Sequence, residues 1–363
     1  MQGAAASHRA DSKNEPVQET DNGRKWRRRT NSIMKTMLSG IKPSGQLHLG
    51  SYIGAIKQFV TYQEDYHMFV FIANLHCITL PITPAELTDN LRDCLAFYLA
   101  CGLDPERSTI FLQTDVKEHA QLGFILSCQT YLGELNRMTQ YKDKAQGKNR
   151  NDVLTAGFYT YPTLMAADIL LYNADYVPVG DDQKQHVELT RDIAERVNKR
   201  FGQIFSVPEP VITKVGARIM ALDNPAKKMS KSEHNTKGTI FLKDEPAAIR
   251  KKVMSAVTDM VNKVSYDPVN QPGISNLLTI YAALEGITPQ EAEAKFSSLQ
   301  YGAFKSAVAD RIIEEFAPIQ ARYREIVGSG DLDRILAKGA EKARPIAAGT
   351  LKTIQKAIGL DIF

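Results

Sequence analysis

Short apolar runs alternate with longer segments of helical periodicity over residues 36–199. The runs are rich in β-branched and aromatic residues, and we predict them to be buried strands: 36–40, 68–80 with its exit loop, 108–113 and 175–180. Apolar residues at helical spacing between the runs predict three helices, which begin near Gly50 or span 84–101 and 182–199. Strands that alternate with helices form a parallel, doubly wound sheet. The predicted fold class is therefore α/β.

The strand-like runs stop at about residue 243, and only helical spacing remains beyond it. The predicted helices of this part are 246–256, 275–285, 289–298, 303–327 and 332–358. Four glycines stand where we expect helix ends: Gly286, Gly302, Gly328 and Gly330. Pro318 and Pro345 are expected to kink or split the two longest helices. We predict an α/β domain over 36–242 and a helical region over 243–363.

Residues 1–35 are polar and hold too few apolar side chains to form a core. They include the basic cluster 24-RKWRRR-29, with the only tryptophan of the chain, Trp26. A disordered extension, a basic arm that contacts RNA and an organelle transit peptide are all open interpretations. Four acidic residues are unusual for a transit peptide: Asp11, Glu15, Glu19 and Asp21. We predict a disordered polar and basic extension.

Composition narrows the class of protein. Charged residues make up 24% and apolar residues 43% of the 363 positions, as in ordinary globular proteins. No apolar run approaches the roughly 20 residues that cross a bilayer, so we expect no membrane-spanning helix. The net charge of +4 permits a nucleic-acid partner without requiring one.

The four cysteines give no indication of a metal site. Cys77, Cys94, Cys101 and Cys128 lie in apolar or helical segments and lack CxxC spacing. No apolar signal peptide precedes the first strand, which argues against an oxidising compartment. We therefore predict reduced core thiols, no structural metal and a cytoplasmic location.

Two loops carry residue types that suit nucleotide chemistry. The first, 39-SGIKPSGQLHLGSYIGA-55, joins the first strand to the first helix, where open α/β sheets bind ligands. Its glycines allow a nucleotide close to the backbone, and the following helix N-terminus favours phosphate, although a plain turn is the alternative. The second, 226-AKKMSKSEHN-235, is either a solvated surface turn or a mobile clamp for a polyphosphate.

Together the two loops resemble those of a known family. The stretch 48-HLGS-51 is similar to the HxGH-type signature of class I aminoacyl-tRNA synthetases, and 228-KMSKS-232 matches their second signature letter for letter. Three longer blocks, 133–144, 158–198 and 216–232, resemble bacterial-type tryptophanyl-tRNA synthetases. This similarity extends over most of the chain from residue 37 onward. Tyrosyl-tRNA synthetases usually carry a different second signature and match the block GDDQKQH less well.

The resemblance implies a Rossmann-like catalytic domain that ends in the KMSKS loop, followed by a helical region that binds the tRNA anticodon. It also implies ATP-dependent activation of L-tryptophan to tryptophanyl-adenylate and transfer to tRNA(Trp), with AMP and pyrophosphate as products. Further implied partners are Mg²⁺ bound to the ATP and a second subunit, because the family is homodimeric. Three alternatives stay open: a tyrosine-activating relative, a small-molecule nucleotidylyltransferase, and a paralogue that binds tryptophan or RNA without catalysis.

The tryptophan carboxylate is already ionised, so catalysis requires positioning and charge stabilisation rather than a general base. The lysine-rich loop offers Lys228 and Lys231 as cations for the departing pyrophosphate, and the resemblance adds Lys144. The ATP-binding residues that the resemblance implies are Lys42, Ser44, His48, Gly50, Ser51, Gly54, Gly180, Asp182, Gln183, Arg218, Ile219, Lys228, Met229, Ser230, Lys231 and Ser232.

Indole is apolar except for its N–H donor, so a tryptophan pocket needs apolar walls and one acceptor. Tyr161, Met165 and Asp168 share one face if 161–172 is a helix. The resemblance assigns the acceptor to Asp168, whereas the residues alone allow Asp168 to be a helix cap or ion-pair partner. The full tryptophan-binding set that we predict is Leu38, Gly40, His76, Tyr161, Met165, Asp168, Val177, Val179 and Gln183.

Four positions depart from the residues that the family often has. Lys42 replaces glutamine, Ser51 replaces asparagine, Asn74 replaces aspartate and Leu38 replaces phenylalanine. Lys42 adds a positive charge beside the phosphates, and Ser51 has a shorter side chain than the usual donor. These changes affect the expected rate more than the expected reaction.

Overall fold

The computed structural model describes residues 34–361, except for residue 44 and the segments 146–153, 181–182, 213–217 and 231–235. The predicted N-terminal extension therefore lies outside the described residues, apart from Met34 and Lys35. Residues 34–363 group as one compact unit, and the boundary predicted at 242 stays a prediction.

The centre of the fold is a parallel sheet of five strands in the order β3-β2-β1-β4-β5. The strands are β1 (Thr36–Ile41), β2 (His67–Ile72), β3 (Ser108–Leu112), β4 (Tyr176–Val179) and β5 (Glu209–Ile212). The chain builds outward from β1 to β3 on one side and then returns to add β4 on the other. This reversal creates a crevice between β1 and β4 at their carboxyl ends, where doubly wound folds bind ligands.

Fourteen α-helical segments connect or follow the strands within the described residues. Those of the first part are α1 (Leu49–Ser51), α2 (Lys57–Tyr62), α3 (Asn74–Cys77), α4 (Pro84–Ala100), α5 (Glu118–Ser127), α6 (Leu132–Asn136), α7 (Thr139–Ala145), α8 (Ala156–Leu170) and α9 (Lys184–Phe201). Those of the second part are α10 (Pro246–Met254), α11 (Pro272–Glu285), α12 (Pro289–Phe296), α13 (Tyr301–Ser329) and α14 (Leu332–Ala357). A π-helical turn, Tyr52–Ile56, joins α1 to α2.

Successive residues of each strand point to opposite faces of the sheet, and helices cover both faces, so both sets of side chains are buried. In β2, for example, Val70 packs into the core on one face, and Phe69 and Phe71 pack into the core on the other. Helices cover both cores, so the strands read as continuous apolar runs. This arrangement confirms the predicted doubly wound α/β class.

The last helix, α14, covers the edge of the sheet at β3. Gly339 lies so close to β3 that a Cβ atom there would sit 1.8 Å from the carbonyl oxygen of Ile110. Only glycine allows this approach, and the buried Ala340 and Ala343 continue the contact surface. A covered edge strand cannot pair with another chain, so α14 protects the sheet from edge-to-edge association.

The five predicted C-terminal helices are all present, with differences at their ends and interiors. Gly286 and Gly330 close α11 and α13 in the left-handed conformation, as predicted. Gly302 and Gly328 are the second and the second-to-last residues of α13, so both mark helix ends to within one residue. Each long helix also continues through its proline, Pro318 in α13 and Pro345 in α14, so neither is split.

The cysteine prediction holds only in part. Among the residues that the structure describes, none of the four forms a disulfide; Cys77 and Cys94 are buried, but Cys101 is partly exposed and Cys128 is exposed. Cys128 ends α5 on the protein surface, where helical periodicity alone did not distinguish the two faces. In the described part of the chain, no helix is long and apolar enough to cross a membrane. No group of three or more His, Cys, Asp or Glu side chains there is arranged to hold a metal ion.

Candidate active site

A cavity of about 670 Å³ opens at the carboxyl ends of β1 and β4, between the sheet and helix α8. Its wall is mostly apolar, with a few polar side chains that point to one region, as in typical small-molecule sites. All nine residues predicted to bind tryptophan line this cavity: Leu38, Gly40, His76, Tyr161, Met165, Asp168, Val177, Val179 and Gln183. The fold thus brings the predicted set together from four separate segments of the chain.

Helix α8 supplies three of these residues from one face. It begins after Thr155, whose hydroxyl caps it by accepting a hydrogen bond from the Phe158 N–H. Tyr161, Met165 and Asp168 follow at helical spacing and all reach the cavity, as the sequence predicted. The orientation of α8 about its own axis therefore determines which of its side chains face the cavity.

Asp168 is the buried carboxylate of the site, with a side chain only 1% exposed. Its Oδ1 accepts hydrogen bonds from Gln113 Nε2 at 2.7 Å and from His119 Nδ1 at 2.6 Å. Its Oδ2 accepts one from His76 Nε2 at 2.8 Å. A carboxylate offers about four acceptor positions, so Oδ2 retains one for a further donor.

The Asp168 carboxyl stays ionised despite its burial. Burial raises its pKa, but the hydrogen bonds from His119 and His76 outweigh that effect and hold the pKa at about 2. The alternative that Asp168 meets nearby basic residues is thus correct, because His76 and His119 both contact it. It does not exclude a ligand, because Asp168 also lines the cavity and its Oδ2 accepts one hydrogen bond only.

Tyr161 is fixed beside Asp168 by a second set of hydrogen bonds. Its hydroxyl contacts Gln140 Oε1 at 2.8 Å and His186 Nε2 at 2.5 Å. Its ring packs edge-on against the ring of His76, with centroids 6.1 Å apart. Burial raises the pKa of Tyr161, so the phenol remains protonated. The cavity wall therefore places a protonated phenol, Tyr161, near the ionised Asp168 carboxylate.

The first predicted signature lies against the segment that follows the second one. The Leu49 N–H donates to the carbonyl of Ile240 at 2.8 Å, and His48 forms an antiparallel bridge with Phe241. His48 also caps α1, because its Nδ1 accepts a hydrogen bond from the Ser51 N–H at 3.3 Å. The sequence did not predict this capping role of the His48 ring.

Backbone contacts also tie the second signature to the strand-like segment before it. The Met229 N–H donates to the carbonyl of Ile219 at 2.9 Å, and Met220 bridges Lys228. Ile219 in turn faces Gly50, where a Cβ atom would lie 3.6 Å from that of Ile219. Met229 is buried and Lys228 is exposed, so the loop anchors by its methionine and presents its lysine.

The predicted ATP-binding residues divide into three groups. Four line the cavity: Lys42, Gly54, Gly180 and Gln183. Eight lie in one of the two signatures or in the segment 218–219 that contacts them: His48, Gly50, Ser51, Arg218, Ile219, Lys228, Met229 and Ser230. Ser44, Asp182, Lys231 and Ser232 lie outside the described residues, and Lys144 falls in α7 without a described side chain.

Sequence reasoning missed several polar residues of the site. Gln113 directly follows β3, and a polar residue at the carboxyl end of a buried strand was a usable signal. His119 had no such signal, because only tertiary packing brings α5 and its His119 to Asp168. Tyr172 stands four positions after Asp168, which was a usable local signal, although its hydroxyl contacts His119. Gln58 lines the cavity, and both atoms of its side-chain amide are buried without a hydrogen-bond partner.

Comparisons with known proteins agree with this site. A family model described as tRNA synthetases class I (W and Y) matches residues 33–317. The tryptophan–tRNA ligase of Bacillus anthracis is 53% identical over 327 residues, which cover 90% of this chain and 98% of that protein. The match to the family model extends over most of the α/β part and much of the helical part.

Two solved structures share the fold closely. Tryptophanyl-tRNA synthetase from Mycoplasma pneumoniae is 40% identical with a TM-score of 0.84, over 91% of this chain and 99% of that chain. The Campylobacter jejuni enzyme, complexed with ADP and tryptophan, is 37% identical with a TM-score of 0.75, over 89% and 99% respectively. The chain therefore belongs to the class I tRNA synthetases, in the family of the W and Y enzymes.

Proposed function

We propose that this protein activates L-tryptophan with ATP to form tryptophanyl-adenylate and then transfers the tryptophanyl group to tRNA(Trp). The observation that carries the proposal is an apolar cavity with one ionised carboxylate, Asp168, that retains an acceptor position. Indole matches this wall because it has a single polar donor on an apolar ring. The relatives that cover nine tenths of the chain are tryptophan–tRNA ligases, which supports the same conclusion.

Met165, Val177 and Val179 form the apolar wall for the indole ring in this proposal, and Asp168 Oδ2 accepts the indole N–H. Tyrosine is a poor ligand for the same wall, because its phenol oxygen also needs a donor when it is buried. Among the polar groups of the cavity, Gln58 would hydrogen bond to the polar part of a substrate. An amide whose two ends are both unsatisfied is costly unless a ligand completes it.

The reaction joins a tryptophan carboxylate oxygen to the α-phosphorus of ATP, and the bond from that phosphorus to the pyrophosphate oxygen breaks. Pyrophosphate leaves with its charge, so cations are needed most at that point. Lys228 is placed on an exposed loop that is anchored by the buried Met229, and Lys231 and Lys144 are proposed to join it. Mg²⁺ enters with ATP as part of the substrate.

ATP would lie between the cavity and the two signature loops, 48–51 and 228–232. Gly54 lines the cavity, and a Cβ atom there would have no neighbour within 4 Å, so the glycine leaves open space on the ligand side. His48, Gly50 and Ser51 lie one helical turn earlier in the same segment. Lys42 extends from the end of β1 into the cavity wall, where its positive charge would favour the phosphates.

The helical region over 243–363 is proposed to bind the tRNA anticodon, and the basic cluster at 24–29 to contact RNA backbone. We propose a cytoplasmic location, where the substrates of protein synthesis are found. The measurement that tests the proposed activity is ATP–pyrophosphate exchange with each of the twenty amino acids. Exchange with tryptophan alone supports the proposal, exchange with tyrosine would identify the tyrosine-activating alternative, and none would indicate a binding paralogue.

A second copy of the chain is proposed to bind at an exposed apolar surface. Phe124 at 73%, Tyr131 at 65% and Leu132 at 69% exposure lie within nine positions, at the end of α5 and the start of α6. The resemblance implies a homodimer, and this surface offers apolar area to bury in it. Sedimentation should show Phe124→Asp as a monomer, whereas Leu360→Asp, at another exposed leucine, should sediment like the native protein. A native protein that sediments as a monomer would contradict this part of the proposal.

A further inference from the structure

His119 lies behind Asp168, outside the wall of the cavity. Its side chain is fully buried, and its Nδ1 is 2.6 Å from Asp168 Oδ1. Its other ring nitrogen, Nε2, is 2.8 Å from the hydroxyl of Tyr172. Neither His119 nor Tyr172 lines the cavity, so the hydrogen bonds of this pair reach a ligand only through Asp168.

Aromatic rings hold His119 in one orientation. Its ring centroid lies 5.8 Å from that of Phe71, 5.9 Å from that of Phe111 and 5.6 Å from that of Tyr172. Tyr172 itself stacks on Phe69 with centroids 4.9 Å apart. The packing leaves little rotational freedom, so the direction of the His119 N–H is fixed by the core rather than by the ligand.

The hydrogen bonds divide the Asp168 carboxylate into two unequal oxygens. Gln113 and His119 both donate to Oδ1, whereas only His76 donates to Oδ2. The Nδ1 of His119 must carry its proton to donate to Asp168, and a neutral ring then leaves Nε2 to accept from Tyr172. Tyr172 thereby selects the ring form that donates to Asp168.

We propose that His119 is a positioning residue for indole recognition: with Tyr172, it holds Asp168 Oδ1 in the core and leaves Oδ2 as the single oxygen available to the ligand N–H. The inference rests on the proposed tryptophan activation and adds a cause for its specificity. Without the His119 donor, the carboxylate can rotate and its acceptor geometry toward the cavity is lost.

Two substitutions separate the two ring nitrogens. In His119→Asn, the side-chain amide nitrogen takes the place of Nδ1 and can still donate to Asp168. In His119→Gln, the amide nitrogen reaches the place of Nε2, and the donor to Asp168 is lost. Both variants are polar and smaller than or similar to histidine, so they form a matched pair. Tyr172→Phe removes only the hydroxyl partner.

The experiment measures ATP–pyrophosphate exchange with tryptophan and with the benzothiophene isostere, whose ring lacks the N–H. For His119→Gln we expect kcat/KM for tryptophan to fall about ten- to hundredfold, mainly through KM, because a charged acceptor loses its geometry. The isostere should change by less than about threefold, since it makes no hydrogen bond to lose. His119→Asn should retain most of the tryptophan activity, and Tyr172→Phe should lie between the two variants.

Each result decides the inference. Equal losses of tryptophan and isostere in His119→Gln, or equal behaviour of the Gln and Asn variants, would give His119 a structural role only and overturn it. Native protein that does not prefer tryptophan over the isostere would contradict the proposed indole contact itself. Melting temperatures of all variants show which losses come from misfolding, and the Asn variant keeps the test valid if the Gln variant is unstable.

Discussion

Two carboxylates in this protein, the buried Asp168 and the half-buried Glu315, are held in different ways. Asp168, at the cavity, accepts hydrogen bonds from Gln113, His76 and His119, and one acceptor position of Oδ2 stays available. Glu315 in α13, away from the cavity, accepts from Tyr52 at 2.5 Å and from Arg311 at 2.8 Å, and lies 3.6 Å from Lys57. The first is oriented by fixed donors in the wall, and the second is surrounded by cations.

The difference separates recognition from stabilisation. Glu315 joins the segment after the first signature to α13, and its charge is neutralised within the fold. Asp168 keeps its charge and part of its hydrogen-bonding capacity for a ligand at the cavity. At these two carboxylates, retained acceptor capacity distinguishes the site, and pairing with cations distinguishes the scaffold.

The largest effect is expected from a cation that belongs to neither carboxylate cluster. Lys228→Ala should raise the barrier to adenylate formation by about 2–4 kcal/mol, because charge stabilisation acts as pyrophosphate departs. The KM for tryptophan should change little. Pre-steady-state adenylate formation measures the effect, and an unchanged rate would make this loop a solvated surface turn.

Gln58 provides the next test, because its buried side-chain amide lines the cavity and neither of its polar atoms has a hydrogen-bond partner among the described residues. Gln58→Leu replaces two unsatisfied buried atoms by apolar ones of similar shape, so the free energy of unfolding should rise by about 1–2 kcal/mol. If a substrate completes the amide, kcat/KM for exchange should fall by roughly five- to fiftyfold in the same variant. Gain of stability with loss of activity supports a ligand contact; loss of both would make Gln58 a structural residue.

The pH dependence of stability probes the Asp168 charge. Its folded pKa of about 2 is below the ordinary 3.8, so ionised Asp168 stabilises the fold fully above about pH 4 and progressively less as pH falls toward 2. The contribution is about 2 kcal/mol. The difference in unfolding free energy between native protein and Asp168→Asn, measured in urea, should therefore shrink as pH falls from about 4 toward 2. A difference in unfolding free energy that does not depend on pH would contradict this assignment.

The smallest effect is expected at Glu315. Burial raises its pKa, but hydrogen bonds from Tyr52 and Arg311 lower it overall, so the carboxylate is ionised and paired. Glu315→Gln should lower the free energy of unfolding by about 1–2 kcal/mol while the KM for tryptophan stays within about twofold. Tyr52→Phe, which removes one hydroxyl donor, should lose less. A strong effect of Glu315→Gln on the KM for tryptophan would contradict the distinction between Asp168, which recognises the ligand, and Glu315, which stabilises the fold.

The spacing of apolar residues along the chain was sufficient to predict most of the strands and helices. Four of the five strands and all five C-terminal helices were predicted, because buried parallel strands and amphipathic helices leave clear patterns. Strand β5 was missed, since Glu209–Ile212 is short and contains a proline. Gly302 and Gly328 were predicted at helix ends, and α13 extends one residue beyond each of them, because a glycine alone does not fix a helix boundary to the residue.

The cavity residues were predicted in a different way. Those that touch the ligand space lie in contiguous motifs, so Tyr161, Met165 and Asp168 were found from helical spacing and resemblance. His119 and Tyr172 lie behind the cavity wall. Tyr172 follows α8 four positions after Asp168, whereas His119 lies in α5 in ordinary local sequence. The hydrogen bonds of His119 to Asp168 and Tyr172 depend on tertiary packing, which no local pattern records.

The central claim is that Asp168 recognises the indole N–H, and a double-mutant cycle tests it most directly. Native protein and Asp168→Ala are each assayed by ATP–pyrophosphate exchange with tryptophan and with its benzothiophene isostere. We predict that the native protein prefers tryptophan by roughly ten- to hundredfold, and that this preference falls to near one in Asp168→Ala. Equal loss of both substrates, with the preference unchanged, would contradict the claim and make Asp168 a structural residue.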